Sequence, residues 1–243
     1  MTLRGGLLLV AIAAPLAAQS IDRRVAAAPD GLVRLSYAAR PGVCGEGRDA
    51  TGVRECNCEP GPVRLSLQVR AGRVTDVRVR VGGSWPVAAG ATTDLGSVPA
   101  PEVARFLLAL AARDSGQAGE HAVFPATLAD SITVWPTLLQ LARDARVVRR
   151  TRRQAVFWLG QAAGAEATRG LDSLASDERQ DRDVRGAAVF ALSQRPRDEG
   201  VPILVRIARN NRDPGLRRKA IFWLGQSDDP RALALFEELL TRP

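Results

Sequence analysis

Gln154-Ala-Val-Phe-Trp-Leu-Gly-Gln161 returns as Ala187-Ala-Val-Phe-Ala-Leu-Ser-Gln194 and again as Lys219-Ala-Ile-Phe-Trp-Leu-Gly-Gln226, at offsets of 33 and then 32 residues. Self-similarity at a fixed period in this range marks stacked helical hairpins. A single hairpin leaves its apolar face in water, and neighbours on both sides cover it. Working outward, a helical period runs from Pro136 to the end of the chain and predicts seven helices: Trp135–Ala145, Val148–Gln161, Ala165–Ala175, Asp183–Gln194, Glu199–Asn210, Pro214–Gln226 and Pro230–Thr241. Three hairpins and a final helix account for them. Asp213-Pro214 and Asp229-Pro230 each set an Asp cap before a Pro at the first helical position. The last helix is expected to close the array with a polar outer side from Glu237, Glu238 and Arg242.

Within the repeat, take Ala155, Ala188 or Ala220 as position zero and step ~100° per residue. In the middle copy Val184, Ala188, Val189 and Leu192 then share one side, which is the core face. The aromatic two places on, Phe157, Phe190 or Phe222, points about 200° from zero, nearly opposite the core. Gln161, Gln194 and Gln226 sit one turn beyond it. Arg153 and Arg218 sit one turn before it, and Gly186 interrupts the middle copy. The stripe therefore reads Arg, Phe, Gln. Burying a Phe side chain contributes ~1.5–3 kcal/mol, so a row of three is expected to be covered. The cover expected is an extended protein or peptide segment; the alternative is the N-terminal part of the chain or a second copy. Arg152, Arg185 and Arg217 share another register and are expected to pair with acids of the neighbouring hairpin, with Asp172, Asp181 and Asp213 within reach.

Val184-Arg185-Gly-Ala-Ala-Val-Phe-Ala-Leu192 and Leu216-Arg217-Arg-Lys-Ala-Ile-Phe-Trp-Leu-Gly225, the latter followed by Asp-Pro-Arg-Ala232, give residues 134–243 a pattern that resembles HEAT repeats of the phycobilisome-lyase-like type. The resemblance implies an all-α solenoid whose second helices line a concave surface. It names no function, because that repeat serves many unrelated roles. In the family the position of the three phenylalanines is usually polar, often Arg, and this chain departs from it in every copy. Catalysis of the chromophore-lyase type follows from the resemblance alone.

Ahead of the repeats the apolar period is two. Val33, Leu35 and Tyr37 alternate with Arg34 and Ser36, and Val63, Leu65, Leu67 and Val69 with Arg64, Ser66, Gln68 and Arg70. Past a tight turn at Ala71-Gly72, Val77, Val79 and Val81 alternate with Arg78 and Arg80, so Val63 to Val81 reads as a hairpin with one charged face. The helix Pro101–Arg113 is expected to cover the other face, and Val33–Ala38 to join the sheet. The fold class is a small β-rich (α+β) domain over residues 19–113, a linker with short pieces of structure over 114–133, and the solenoid over 134–243.

Met1-Thr-Leu-Arg4, an apolar stretch to Leu16, and small residues at Ala17 and Ala18 form the pattern of a signal peptide over residues 1–18, which predicts export to the periplasm or beyond. No later segment approaches the ~20 apolar residues that span a bilayer. The net charge is +8, carried by arginine, with Lys219 the single lysine. Such a balance raises nucleic acid as a partner, but an exported protein meets acidic proteins, lipid and polysaccharide first, so no nucleic-acid partner is expected. The densest basic cluster is Arg149, Arg150, Arg152 and Arg153. Of three cysteines, Cys44 is expected to pair with Cys58, with Cys56 the alternative partner; neighbouring Cys56 and Cys58 make a poor pair. A zinc site using all three with His121 matches no common spacing, so no metal and no cofactor are expected. His121 is the only histidine, and no nucleophile, phosphate loop or distinct carboxylate pair accompanies it. The reading is an exported adaptor, not an enzyme, that holds a protein or peptide on its helical face, the alternatives being a lyase-like catalyst and a nucleic-acid-binding array.

Overall fold

The structure, a computed structural model, describes residues 20–48, 54–59, 61–86 and 90–241. The predicted signal peptide and Arg242 lie outside the described residues. The first part comprises α1 (Ile21–Ala26), β1 (Gly31–Tyr37), β2 (Gly45–Arg48), β3 (Arg54–Glu59), β4 (Val63–Arg70), β5 (Arg73–Val81) and β6 (Thr92–Ser97). Four strands form a mixed sheet in the order β5-β4-β1-β6; β1 is antiparallel to β4 and parallel to β6. Alternation decides which face is buried: Val33, Leu35, Tyr37, Val63, Leu65, Leu67 and Val69 are sealed, while Arg34, Ser36, Arg64, Ser66 and Gln68 stay partly wet.

The expected turn joins β4 to β5. Ala71 and Gly72 have φ of 48° and 70°, the left-handed pair that a two-residue hairpin turn requires. Gly72 adopts this freely, and Ala71 is held there because its N–H donates to Asp30 Oδ1 at 2.7 Å. One residue later the simple alternation fails. Val69 pairs with Val74 but Gln68 pairs with Asp76, so Thr75 bulges out of β5 and Val74 and Val77, three apart, are both buried. The segment from Cys44 to Glu59 contains the antiparallel ribbon β2–β3. Its stem lies so close to β5 that a Cβ on Gly45 would fall 1.9 Å from the Val81 carbonyl oxygen.

The helices are α2 (Ala100–Arg113), α3 (Gln117–Thr127), α4 (Trp135–Arg143), α5 (Arg149–Gly160), α6 (Ala165–Ser176), α7 (Arg182–Ser193), α8 (Arg197–Asn210), α9 (Pro214–Leu224) and α10 (Pro230–Thr241). The last seven are those the sequence predicts, shifted at their ends by a few residues. α4 pairs with α5, α6 with α7 and α8 with α9. One layer stacks α3, α5, α7 and α9 in succession, and the other α2, α4, α6, α8 and α10. The pair α2/α3 is therefore one more hairpin in the same array. Residues 114–133, read as a linker, hold its inner helix. Gly119 lies in its first turn, and Pro125, which removes the hydrogen bond to the carbonyl four residues back, stands two residues before the helix closes at Thr127. α2 is buried on most of its circumference, through Val103, Ala104, Phe106, Leu107, Leu108, Leu110 and Ala111.

The sheet and the array are joined by polar contacts as well as by one continuous apolar core. Tyr37 donates its hydroxyl to the Pro125 carbonyl at 2.6 Å, and burial pushes its phenol pKa well above the ordinary value. Just past β1, Ala39 bridges Ala129, Arg40 N–H donates to Leu128 O (2.8 Å), and Asp130 N–H to Ala38 O (3.1 Å).

Repeated polar devices set the helix stacking. Arg152 and Arg185 each donate Nε to the carbonyl ten residues back, on Ala142 and Ala175, closing the end of the preceding outer helix. Arg152, 3% exposed, also pairs with Asp181 of the next hairpin and with Gln180 Oε1 (2.6 Å), as expected of this register. Arg185 differs, reaching Asn211 Oδ1 at 3.3 Å, while Arg217 donates to the Asn211 carbonyl at 2.7 Å. Asp213 is occupied elsewhere: it caps α9 through the N–H groups of Gly215 (2.7 Å) and Leu216 (3.4 Å) and pairs with Arg182 (2.9 Å). Asp172 pairs with Arg206. At the far end the outer side of the closing helix is mixed: Glu237 is exposed as expected, and apolar residues stand beside it. Leu233 and Leu240 are 63% and 86% exposed on α10, and Glu238 is drawn back onto Arg209.

Candidate functional site

The inner layer carries its aromatic side chains on one continuous line. Phe124 of α3 stacks on Trp158 of α5 with ring centroids 4.5 Å apart. Trp158 meets Phe157 edge-on at 5.1 Å, and Phe157 lies nearly parallel to Phe190 of α7 at 6.4 Å. Phe190 then leans on Trp223 of α9 at 5.0 Å, and Trp223 meets Phe222 edge-on at 4.9 Å. The helical step places a ring at the same angle of each copy, and stacking of the hairpins brings successive rings within aromatic contact distance.

The sequence-predicted row is thus present in part and differs in composition. Phe157 and Phe222 are 37% and 57% exposed, while Phe190 is half-buried. Phe157 and Phe190 meet directly, but Trp223 lies between Phe190 and Phe222, so the line is a ladder of Phe and Trp instead of three phenylalanines. Trp158 and Trp223 stand in the quoted repeat three places from zero, an angle that falls beside the core face and outside the Arg, Phe, Gln stripe. The signal that identifies them is the middle copy, which has Ala191 where the flanking copies have Trp. Ala191 is buried so tightly against α5 that a Cβ on Gly160 would come within 2.9 Å of the Ala191 Cβ. The Trp158 Nε1 atom is buried with no hydrogen-bond partner among the described residues.

Beside the ladder runs a groove of about 550 Å³, open to solvent, across α3, α5, α7 and α9. Phe157, Phe190 and Trp223 give it an aromatic lining. Arg150, Arg153 and Lys219 supply positive charge, Glu120 and Asp183 negative charge, and Gln154, Gly186 and Ala187 the remainder. Asp183 pairs with Arg149 at 3.3 Å and Glu120 with Arg150 at 3.7 Å; Arg150 also donates to the Ser115 carbonyl at 2.8 Å. Arg153 lines the groove as the stripe requires. Exposed Arg218 does not, and its neighbour Lys219 does. Gln161, Gln194 and Gln226 are exposed but stand at or past the helix ends, outside the groove, because Gln161 and Gln194 are the C-cap residues of α5 and α7.

His121 lies next to Glu120 on α3 and faces the sheet. Its Nδ1 donates to Asp76 Oδ1 at 2.9 Å. Partial burial pushes the Asp76 pKa up, but hydrogen bonds from His121, Arg78 and its own neighbour Val77 outweigh it and hold the carboxyl below its usual range. The contact pins α3 to the β5 bulge. Among the described residues no group of three or more His, Cys, Asp or Glu side chains is placed to hold a metal ion. The side chains of Cys56 and Cys58 lie outside the described residues, and Cys44 is engaged, not free.

The family model for HEAT repeats matches residues 174–243. The matched stretch runs from the end of α6 through α10 and is similar to HEAT repeats, and the same hairpin geometry continues N-terminally without a break. Comparison with curated proteins yields no match. A helical repeat array is the class that the fold defines, and no helix among the described residues is long and apolar enough to cross a membrane.

Proposed function

We propose that the chain is an exported HEAT-repeat adaptor that docks an extended protein or peptide segment along the face formed by α3, α5, α7 and α9. One observation carries the reading: an aromatic ladder with Phe157 and Phe222 open to water borders a groove of about 550 Å³ on that face. Wet aromatic surface along stacked helices is what a bound segment covers, and although the sheet packs on α3 at one end of this face, the groove is lined by helix residues alone. Export rests on the signal pattern of residues 1–18, and the bridge between Cys44 and Cys58 belongs with it.

The test replaces Phe157 and Phe222 together by Ser, sparing half-buried Phe190. Extended peptides that change the fluorescence of Trp158 and Trp223 in the parent should lose that effect in the double variant, with far-UV circular dichroism unchanged. Peptide binding that survives the double change would remove the docking role of the ladder. The phycobilisome-lyase-like subtype and its catalytic reading rest on sequence resemblance alone, and the one histidine is held by the His121–Asp76 contact. That contact joins two packed elements, which favours a structural role.

A further inference from the structure

The groove carries uncompensated positive charge. Its two carboxylates are already engaged, Asp183 by Arg149 and Glu120 by Arg150. Arg153 and Lys219 have no carboxylate within 4.0 Å among the described residues, and both are exposed. Each stands one helical turn before an aromatic rung, Arg153 before Phe157 on α5 and Lys219 before Trp223 on α9. Between them α7 presents Gly186 where the flanking repeats have Arg153 and Arg218. A Cβ there would lie 2.8 Å from Lys219 Nζ, so the missing side chain is what lets the ammonium reach into the groove. Two cations thus flank the parallel Phe157–Phe190 pair.

We propose that the groove recognises an acidic peptide segment in extended form, with carboxylate side chains placed to meet Arg153 and Lys219 and an apolar side chain between them against Phe157 and Phe190. This rests on the docking role of the inner face and adds the chemistry of the occupant. Arg153 offers a planar fork to a carboxylate and Lys219 a mobile point charge, and both keep their attraction because no internal acid neutralises them. A nucleic acid would also bring negative charge and stacking. Its phosphates recur at every nucleotide, however, and would have to pass Glu120 and Asp183, whereas a peptide can set neutral residues there.

The experiment titrates the full chain with three tryptophan-free twelve-residue peptides that share their Leu and Phe positions and carry Glu, Gln or Lys between them, and with oligo-dT of the same length. Trp fluorescence and calorimetry are read at low and high salt. The Glu peptide should bind roughly tenfold more tightly than the Gln peptide, as two partly exposed ion pairs allow, and lose that advantage at high salt. Arg153→Glu with Lys219→Glu should transfer the preference to the Lys peptide. Because both residues are exposed, the folded state should be retained; Arg153→Gln with Lys219→Gln, which should level the three peptides, gives the same answer without adding charge. Equal binding of the Glu and Gln peptides in the parent would overturn the acidic preference and leave the docking face standing. Binding of none of the peptides would overturn both, and tighter binding of oligo-dT than of the Glu peptide would overturn the proposal in favour of a polyphosphate site.

Discussion

The three phenylalanines of the repeat should differ in what they contribute to stability, because stacking places them differently. Phe190 is half-buried and touches two rings on other helices, Phe157 at 6.4 Å and Trp223 at 5.0 Å. Replacing it by Ser removes two aromatic pairs at about 0.5–1.5 kcal/mol each, and roughly half of the ~1.5–3 kcal/mol that a sealed Phe contributes. The loss comes to roughly 2–4 kcal/mol. Phe222 is 57% exposed and its ring contact is with Trp223, its own neighbour in sequence, so the same change there should cost about 1 kcal/mol. Phe157 falls between. The substitution is identical at each site and all three sit within helices, so the difference in helix propensity largely cancels. Urea unfolding followed by circular dichroism should rank the variants Phe190→Ser, Phe157→Ser, Phe222→Ser in order of falling cost. A Phe222→Ser loss equal to or larger than that of Phe190→Ser would refute the ladder as the element that ties α5, α7 and α9 together.

Further outcomes follow from the polar devices. Arg195, with its side chain 6% exposed, donates to the Gly160 and Gly164 carbonyls (3.2 and 3.1 Å), Thr168 Oγ1 (2.8 Å) and Glu199 (3.1 Å); Arg195→Met should cost about 3–5 kcal/mol, and a loss under about 1 kcal/mol would show those carbonyls finding water instead. Hydrogen bonds from Arg146 and Arg231 hold the Asp144 and Asp229 carboxyls down to about 2, and Arg179 holds Asp177 well below the usual range. Carboxyls depressed by folding stabilise above their unfolded pKa of about 3.9 and lose that contribution as pH falls towards 2, so the urea midpoint should hold from neutral pH to about 5 and drop below 4. Arg146→Gln, Arg179→Gln and Arg231→Gln together should make that drop shallower; an unchanged profile would contradict the assignment. Peptide mapping of the unreduced chain should recover Cys44 linked to Cys58 with Cys56 unlinked, and recovery of a Cys44–Cys56 peptide would select the other pairing.

The repeat helices were legible because each of them alternates at the helical period over nine or more residues, and the caps at Asp213 and Asp229 are local chemistry. The sheet was legible for the same reason at period two, until Thr75 bulged and broke the parity, an event that depends on the pairing partner. The hairpin α2/α3 went unread as part of the array because Gly119 and Pro125 are breakers by composition, while their position near helix ends is visible only once the ends are known. At the site, stepping around a helix found Phe157, Phe190 and Phe222 but carried the stripe past the ends of α5, α7 and α9, where Gln161, Gln194 and Gln226 no longer follow the helical angle. For Trp158 and Trp223 the sequence carries a trace in Ala191 of the middle copy, but their place in the ladder follows from contacts between hairpins, as do the electrostatics: the charge Lys219 presents depends on which acids other arginines engage.

Hydroxyl-radical footprinting of the full chain addresses the central claim most directly, with Phe106, 4% exposed inside α2, as the buried reference within the same molecule. Phe157 and Phe222 should be oxidised many times faster than Phe106 in the free chain, and should become protected when the Glu peptide is added. Oxidation of both rings as slow as that of Phe106 would place them in the interior and remove the docking face.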